Sequence, residues 1–278
     1  MNEQVLSHQI ELLLGVELNQ IEQITIGCSQ QVYRITTASG VYVVKRFGHR
    51  AAFDTELTIL AANKAYAPRL IASQPQLIIS EYINAPLLGD CQLSKQALLE
   101  HLVNALVLFH NNPPVELNNS VIKPLNFYQV LTELASSCQL SPHQTANIDT
   151  LLNKVKRQEQ GSESLVICHG DLNMNNLFVE PKGYKLIDFE AVSIAPNSYD
   201  LMMALSINGL SATDIDAAVK RYNSSSPNHP INHTTTKCYF YFELACAINA
   251  LWFQARGQQQ NIKSFRCQAD KYFAQLSQ

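Results

Sequence analysis

The chain has 278 residues, of which 46% are hydrophobic and 15% charged, and its formal net charge is −3 at pH 7. That balance supports a large folded core, argues against disorder, and gives no run of lysines or arginines to track a nucleic-acid backbone. No stretch approaches the roughly 18 uninterrupted apolar residues of a membrane span.

Taken in chain order, residues 3–15 read as an amphipathic helix, with Val5, Ile10, Leu12, Leu13 and Leu14 apolar and Gly15 as the stop. Three strand-like runs follow at 23–26, 32–37 and 41–47, the last two joined through Ser39-Gly40, so a meander is expected. Residues 51–66 are alanine-rich with Phe53, Leu57 and Leu60 on one face, the pattern of a helix. A further strand at 76–80 is broken by Asn84-Ala85-Pro86. The expectation is a small antiparallel β lobe over 1–83 that binds nucleotide. Residues 84–278 then read as a larger, mostly helical lobe, with helices at 94–110, 127–138, 144–157, 199–209, 212–222, 236–257 and 260–276. A strand segment, 164–188, interrupts them. The chain is therefore an α+β protein of two lobes, and ligand clefts are common where such lobes meet.

Cysteine usage bears on the compartment. Seven cysteines form an odd set with no C-x-x-C pair, and Met1-Asn2-Glu3-Gln4 has neither the basic start nor the apolar core of a secretory signal. Reduced thiols in the cytoplasm are expected. Eight histidines are scattered without ligand spacing, so no structural metal is expected.

The densest chemical signal is His169-Gly170-Asp171-Leu172-Asn173-Met174-Asn175-Asn176, followed twelve residues after Asn176 by Asp188-Phe189-Glu190. The apolar run 164–168 reads as a buried strand leading into this loop. The runs 176–179 and 184–187 bracket Glu180-Pro181-Lys182-Gly183 and read as a hairpin. In an antiparallel pair the start of one strand lies opposite the end of the other, so Asn176 and Asp188 can share a cation. Phosphoryl transfer needs a carboxylate beside the attacking hydroxyl and a second set of oxygens for magnesium on the nucleotide phosphates. An H-x-D-x-x-x-x-N loop with a D-F-x site downstream has that order. Asp171 is thus the candidate general base, with Asn176 and Asp188 as magnesium ligands. Glu190 either reaches a second magnesium through water or forms a surface salt bridge. His169 reads as a brace for the loop, and Asp200 as a helix N-cap, a buried acceptor for the loop amides, or both.

Three further places suit a nucleotide. Val41, Val43 and Lys45 alternate onto one strand face, and Glu56 falls on the buried side of the next helix between Phe53 and Leu60. A buried lysine needs a partner, and such a pair can present the lysine to the α- and β-phosphates; the plainer alternative leaves Lys45 in solvent on an edge strand. Gly27-Cys28-Ser29-Gln30-Gln31 either folds over the phosphates, with Ser29 as a donor, or is an ordinary hairpin turn. At the expected lobe junction, the extended backbone of Glu81 and Ile83 could hydrogen-bond an adenine edge.

These elements resemble the aminoglycoside phosphotransferase and choline kinase superfamily, in the same order and over nearly the whole chain. Leu106-Val107-Leu108-Phe109-His110 is also similar to the Leu-x-x-His-type helix end of such enzymes. The resemblance implies a protein-kinase-like fold, ATP and Mg2+ as cofactors, Asp171 as the catalytic aspartate, and Asn176 and Asp188 as metal ligands. Protein kinases fit less well, because Glu190 stands where D-F-G has glycine and no A-P-E follows.

Within the superfamily, the I-D-F-E form and Leu251–Arg256 look most like choline, ethanolamine and thiamine kinases. Tyr241 and Trp252 share one face of a helix and could form a cation–π wall, or could simply be helix-packing core. Glu243 either pairs with a cationic substrate or is solvated. Asn249 stands where choline kinases tend to carry a second tryptophan. The expected function is an ATP- and magnesium-dependent kinase of a small alcohol, choline-, ethanolamine- or thiamine-like. The alternatives are an aminoglycoside O-phosphotransferase and a catalytically silent nucleotide-binding protein.

Overall fold

The computed structural model describes residues 3–24, 30–158, 164–232 and 235–276. Backbone contacts divide the chain into two compact units, each assembled from segments that are not contiguous in sequence.

The first unit comprises Met1–Gln92, Asn112–Val121 and Asn175–Val192. Its frame is an antiparallel five-stranded sheet of order β1-β2-β3-β5-β4, built from β1 (Leu18–Ile24), β2 (Gln31–Thr37), β3 (Gly40–Arg46), β4 (Leu70–Gln74) and β5 (Leu77–Glu81). Residues of alternate parity point to opposite faces. One face, with Ile35, Val44, Leu77 and Ile79, is covered by Leu6 and Ile10 of helix α1 (Glu3–Leu14). Lys45 pairs in register with Val32 and Ile78, on strand positions of the other parity. Helix α2 (Arg50–Ala61) buries Phe53, Thr55, Glu56, Ile59 and Leu60.

Three expectations change here. β1 starts at Leu18 rather than 23, because its exposure follows no period of two and only pairing with β2 reveals it. β4 was not anticipated, since Leu70–Gln74 carries no alternation; it pairs with β5 across a turn in which Gln76 has φ +66°. α2 ends at Ala61 rather than 66, because Asn63 takes a left-handed conformation (φ +50°) that asparagine tolerates and that stops a helix.

The hairpin β7 (Leu177–Glu180) and β8 (Gly183–Leu186) groups with this unit. The Val179 N–H donates to the Pro86 carbonyl at 3.0 Å and the Leu186 N–H to that of Tyr66 at 2.7 Å. The Lys185 ammonium donates to the Ala67 carbonyl and to Glu81 Oε1, each at 3.0 Å.

The second unit comprises Leu93–Asn111, Ile122–Met174 and Ser193–Gln278. Its helices are α3 (Lys95–Asn111), α4 (Phe127–Ser136), α5 (Pro142–Gln158), α6 (Asn197–Ile207), α7 (Ile215–Ser225), α8 (Thr235–Gln259) and α9 (Lys263–Gln275). Every residue of α6 from Asn197 to Ser206 is buried, which makes this helix the rigid centre of the unit. The strand β6 (Leu165–Cys168) pairs antiparallel with β9 (Ser193–Pro196), a strand absent from the sequence reading because it is four residues long and ends in proline. No described helix is long and apolar enough to cross a membrane.

Candidate active site

In the first unit a lysine is enclosed by carboxylates. Lys45 Nζ donates to Asp188 Oδ1 at 2.5 Å and to Glu56 Oε2 at 3.2 Å. Burial works to depress the ammonium pKa, but the charges of Glu56, Asp188 and, further off, Glu190 outweigh it and hold the pKa above its ordinary value. Burial pushes the Glu56 carboxyl pKa up, against the pull of Lys45 and a 2.9 Å bond accepted from the Phe189 N–H. With carboxylates on two sides, the proton stays on Lys45 at neutral pH.

The segment 187–191 aims these groups. Asp188 has φ +66° and ψ +66°, a left-handed conformation that a short polar side chain can adopt, and it opens a 3-10 turn over Phe189–Ala191. Phe189 is fully buried and anchors that turn. The Ile187 N–H donates to the Asn176 carbonyl at 3.0 Å, which sets the start of β7 against the end of β8. Asn176 is buried. Gln30 Nε2 donates to Glu190 Oε2 at 2.8 Å while Gln30 Oε1 accepts from the Gly48 N–H at 3.2 Å. Gln30 therefore ties Glu190 to the backbone two residues beyond β3. Ser29, expected as a phosphate donor, lies outside the described residues, as do Gly27 and Cys28.

Glu81 and Ile83 follow at the end of β5. The Glu81 N–H donates to the Arg69 carbonyl at 3.0 Å, and its carboxylate takes Lys185 at 3.0 Å and Arg69 at 3.8 Å. Burial alone would raise the Glu81 pKa, but these two cations and the bonds lower it. The Glu81 side chain is thus committed to structure. Ile83 is buried.

In the second unit the loop carrying Asp171 is held from beneath by Asp200. Its Oδ2 accepts from the His169 N–H at 2.8 Å and from His110 Nε2 at 2.9 Å, and its Oδ1 accepts from the Gly170 N–H at 2.9 Å. Gly170 has φ +77°, a conformation that side chains with a Cβ resist, so glycine suits the turn that exposes both N–H groups to one carboxylate. A carboxylate only accepts, so His110 Nε2 carries the proton; in the neutral ring Nδ1 then accepts from the Tyr222 hydroxyl at 2.7 Å. Burial would raise the pKa of Asp200, yet His110 and the loop amides outweigh it and the carboxyl stays below its ordinary value. Asp200 lies in the first turn of α6, whose N-cap is Pro196, so it is a buried acceptor and not the cap.

His169 is fully buried, with its ring edge-on to Phe109 at 5.8 Å. Asn173 Nδ2 donates to Asp171 Oδ1 at 3.3 Å. Ligating atoms of His110, Cys168 and Asp200 lie within 4.8 Å of one another. Within this cluster both Asp200 oxygens are taken by N–H donors, so it braces the loop.

The substrate candidates on α8 have different surroundings. Tyr241 is buried among Phe127, Tyr199 and Phe240. Glu243 pairs with Lys154 at 2.6 Å on the surface. Trp252 packs against Phe253 and Phe265 and carries the Arg256 guanidinium 5.6 Å from its ring centre. It also borders an open cavity of about 310 Å³ with Leu134, Ser137 and Arg256. Asn249 is buried and donates to Ser206 Oγ at 3.2 Å.

Gln30, Lys185 and Tyr222 escaped the sequence reading. Their bonds span 160, 104 and 112 residues, and no local spacing announces partners at such distances.

The sequence pattern of the phosphotransferase enzyme family matches residues 20–230. An uncharacterized kinase-like protein of Caenorhabditis elegans is 36% identical over 97 residues, which are 33% of this chain and 23% of that protein. Among solved structures, the choline kinase LicA of Streptococcus pneumoniae superposes with a TM-score of 0.74 at 19% identity, covering 98% of both chains. Amicoumacin kinase hAmiN, in complex with AMP-PNP, Ca2+ and Ami, gives 0.76 at 11% identity, covering 99% of this chain and 93% of that one. The fold is kinase-like. Because the family match runs from the first strand through Lys45, the Asp171 loop, the hairpin and Asp200, this chain belongs to the phosphotransferase enzyme family.

Proposed function

We propose that this phosphotransferase uses ATP and Mg2+ to phosphorylate a hydroxyl of a small metabolite, with choline-, ethanolamine- or thiamine-like alcohols as the acceptor class. The observation that carries this reading is the Lys45 ammonium held between Glu56 and Asp188, a cation kept charged at the end of a strand that phosphate oxygens can use. The similarity to proteins crystallised with AMP-PNP and named as choline kinase supports the nucleotide and the acceptor class.

Lys45 binds the α- and β-phosphates, with Glu56 holding its side chain extended. Glu81 and Ile83 offer backbone groups to the adenine edge, and Ser29 a hydroxyl to a phosphate. Asp171 orients the acceptor hydroxyl and takes its proton as the acceptor oxygen bonds to the γ-phosphorus and the bond to the bridging oxygen of ADP breaks. Asn176 and Asp188 provide an amide and a carboxylate oxygen, hard donors that fit magnesium, and Glu190 a further carboxylate. Bound there, the ion would neutralise charge on the phosphates. Trp252, which borders open space, is the side chain assigned to the acceptor; Tyr241 is enclosed by aromatic rings, and Glu243 lies on the opposite side of α8, paired with Lys154.

An ATP-consumption screen over choline, ethanolamine, thiamine, homoserine, sugars and kanamycin, with and without magnesium, tests this. Magnesium-dependent turnover of one of the first three is expected. Turnover of kanamycin alone would replace the acceptor class by aminoglycosides. Absence of turnover with every acceptor, in protein that binds ATP, would leave the silent nucleotide-binding alternative.

A further inference from the structure

The loop after Asp171 has a second attachment that its motif does not foretell. Asn208 is the C-cap of α6. Its Oδ1 accepts from the Met174 N–H at 2.7 Å, and its Nδ2 donates to the Leu172 carbonyl at 2.9 Å and to the Ala204 carbonyl at 2.7 Å. An asparagine amide offers two donor hydrogens and one acceptor oxygen, and all are engaged here in a buried setting. Aspartate would lose both donors, leucine all three bonds, and glutamine would place the amide a methylene too far.

The anchor itself is rigid. Gly209 follows with φ +72°, its N–H donates to the Ser206 carbonyl at 3.1 Å, and the Leu210 N–H donates to that of Leu205 at 3.0 Å, closing the helix end. One buried helix thus ties the loop twice. Asp200 in its first turn takes the amides of residues 169 and 170, and Asn208 at its last takes the carbonyl of 172 and the amide of 174. The two ties are eight residues apart, about 12 Å along the axis. Asp171 is the residue between them.

We propose that Asn208 is a positioning residue for phosphoryl transfer: it clamps the 172–174 segment to the end of α6 and so fixes the backbone from which Asp171 projects. The assignment rests on the reading of Asp171 as the group that orients the acceptor hydroxyl. A displaced general base costs rate without costing nucleotide affinity, so the clamp should act on kcat and not on the KM for ATP.

The test uses the full chain and its Asn208→Ala and Asn208→Asp variants. Leu205→Val, at a fully buried α6 position whose aliphatic side chain has no hydrogen-bonding atom, serves as a control for lost stability. Hydrogen–deuterium exchange in Asn208→Ala should rise about 10-fold or more in the peptide containing Met174, while residues 169 and 170 keep their protection; Asn208→Asp, which keeps an acceptor for the Met174 N–H, should rise less. On the acceptor found in the screen, kcat should fall about 10- to 100-fold with the KM for ATP unchanged, and Leu205→Val should keep its kcat at an equal loss of Tm. Unchanged exchange in Asn208→Ala overturns the clamp. Unchanged kcat with a deprotected loop, or an equal kcat loss in Leu205→Val, overturns the positioning role. If the wild type turns over no acceptor, the kinase reading fails alone, and the exchange result still decides for or against the clamp.

Discussion

Lys45 Nζ and Asp188 Oδ1 lie 2.5 Å apart although 143 residues separate them in the chain. The contact joins β3 to the turn that leaves β8, within one compact unit, and Glu56 of α2 completes it at 3.2 Å. Among the described residues the Lys45 ammonium is the one cation bonded to these two carboxylates, and removing it leaves both without that compensation.

Lys45→Met should therefore cost stability as well as nucleotide affinity. Leaving Glu56 buried without its cation is expected to destabilise the protein by about 3 kcal/mol, and the double variant Lys45→Met/Glu56→Leu should recover much of that loss. Denaturant titration checks this. Equal stabilities of the single and double variants would mean that the two side chains are not coupled.

Asp171→Ala is expected to lower kcat about 10³-fold while leaving ATP affinity nearly intact, the signature of a group that acts on the acceptor hydroxyl. Initial rates and calorimetry separate the two quantities. Turnover equal to wild type would remove Asp171 from its assigned role.

Asp188→Ala should abolish the part of nucleotide binding that depends on magnesium. Calorimetry with ATP in the presence of magnesium and then of EDTA should give two different affinities for the wild type and one for the variant. Wild-type affinity in magnesium would count against Asp188 as a metal ligand.

The acid limb of stability should depend on Asp200. Its carboxyl pKa in the folded protein is below the ordinary 3.8, so the stabilisation is complete above that value. As the pH falls below 3.8 the unfolded chain takes up the proton first, and the contribution is lost as the pH falls through the folded-state pKa. Asp200→Asn should be less stable at neutral pH and should lose less Tm than wild type on acidification below that value. Parallel Tm–pH curves for the two proteins would contradict the linkage.

How much of this was legible depended on the reach of each signal. The Lys45–Glu56 pair could be anticipated because a strand alternates faces every residue and a helix returns to its buried side every three or four, so both positions carry the anomaly of a charge on an inward face. The hairpin was legible because a Pro/Gly turn sat between two apolar runs. The strands β4 and β9 were not, being short, without alternation, and defined only by the partner each pairs with. On α8, Tyr241 and Trp252 share a helical spacing, yet one ring is enclosed by aromatics and the other borders an open cavity. Periodicity assigns a face; it does not assign what lies against that face.

The sequence by its own order pointed to phosphoryl transfer, because that chemistry calls for a small set of residue types at short, fixed separations, and the spacing of residues 169–176 and 188–190 matches such a set, in a chain that belongs to the phosphotransferase enzyme family. How those residues are held emerged from packing: Asp200 and Asn208 under the loop, Gln30 on Glu190, Lys185 stitching the hairpin to the sheet. Each of these is a buried polar group that had to find a partner wherever the chain returned to it, and that return is a property of packing over long separations, which local spacing does not encode.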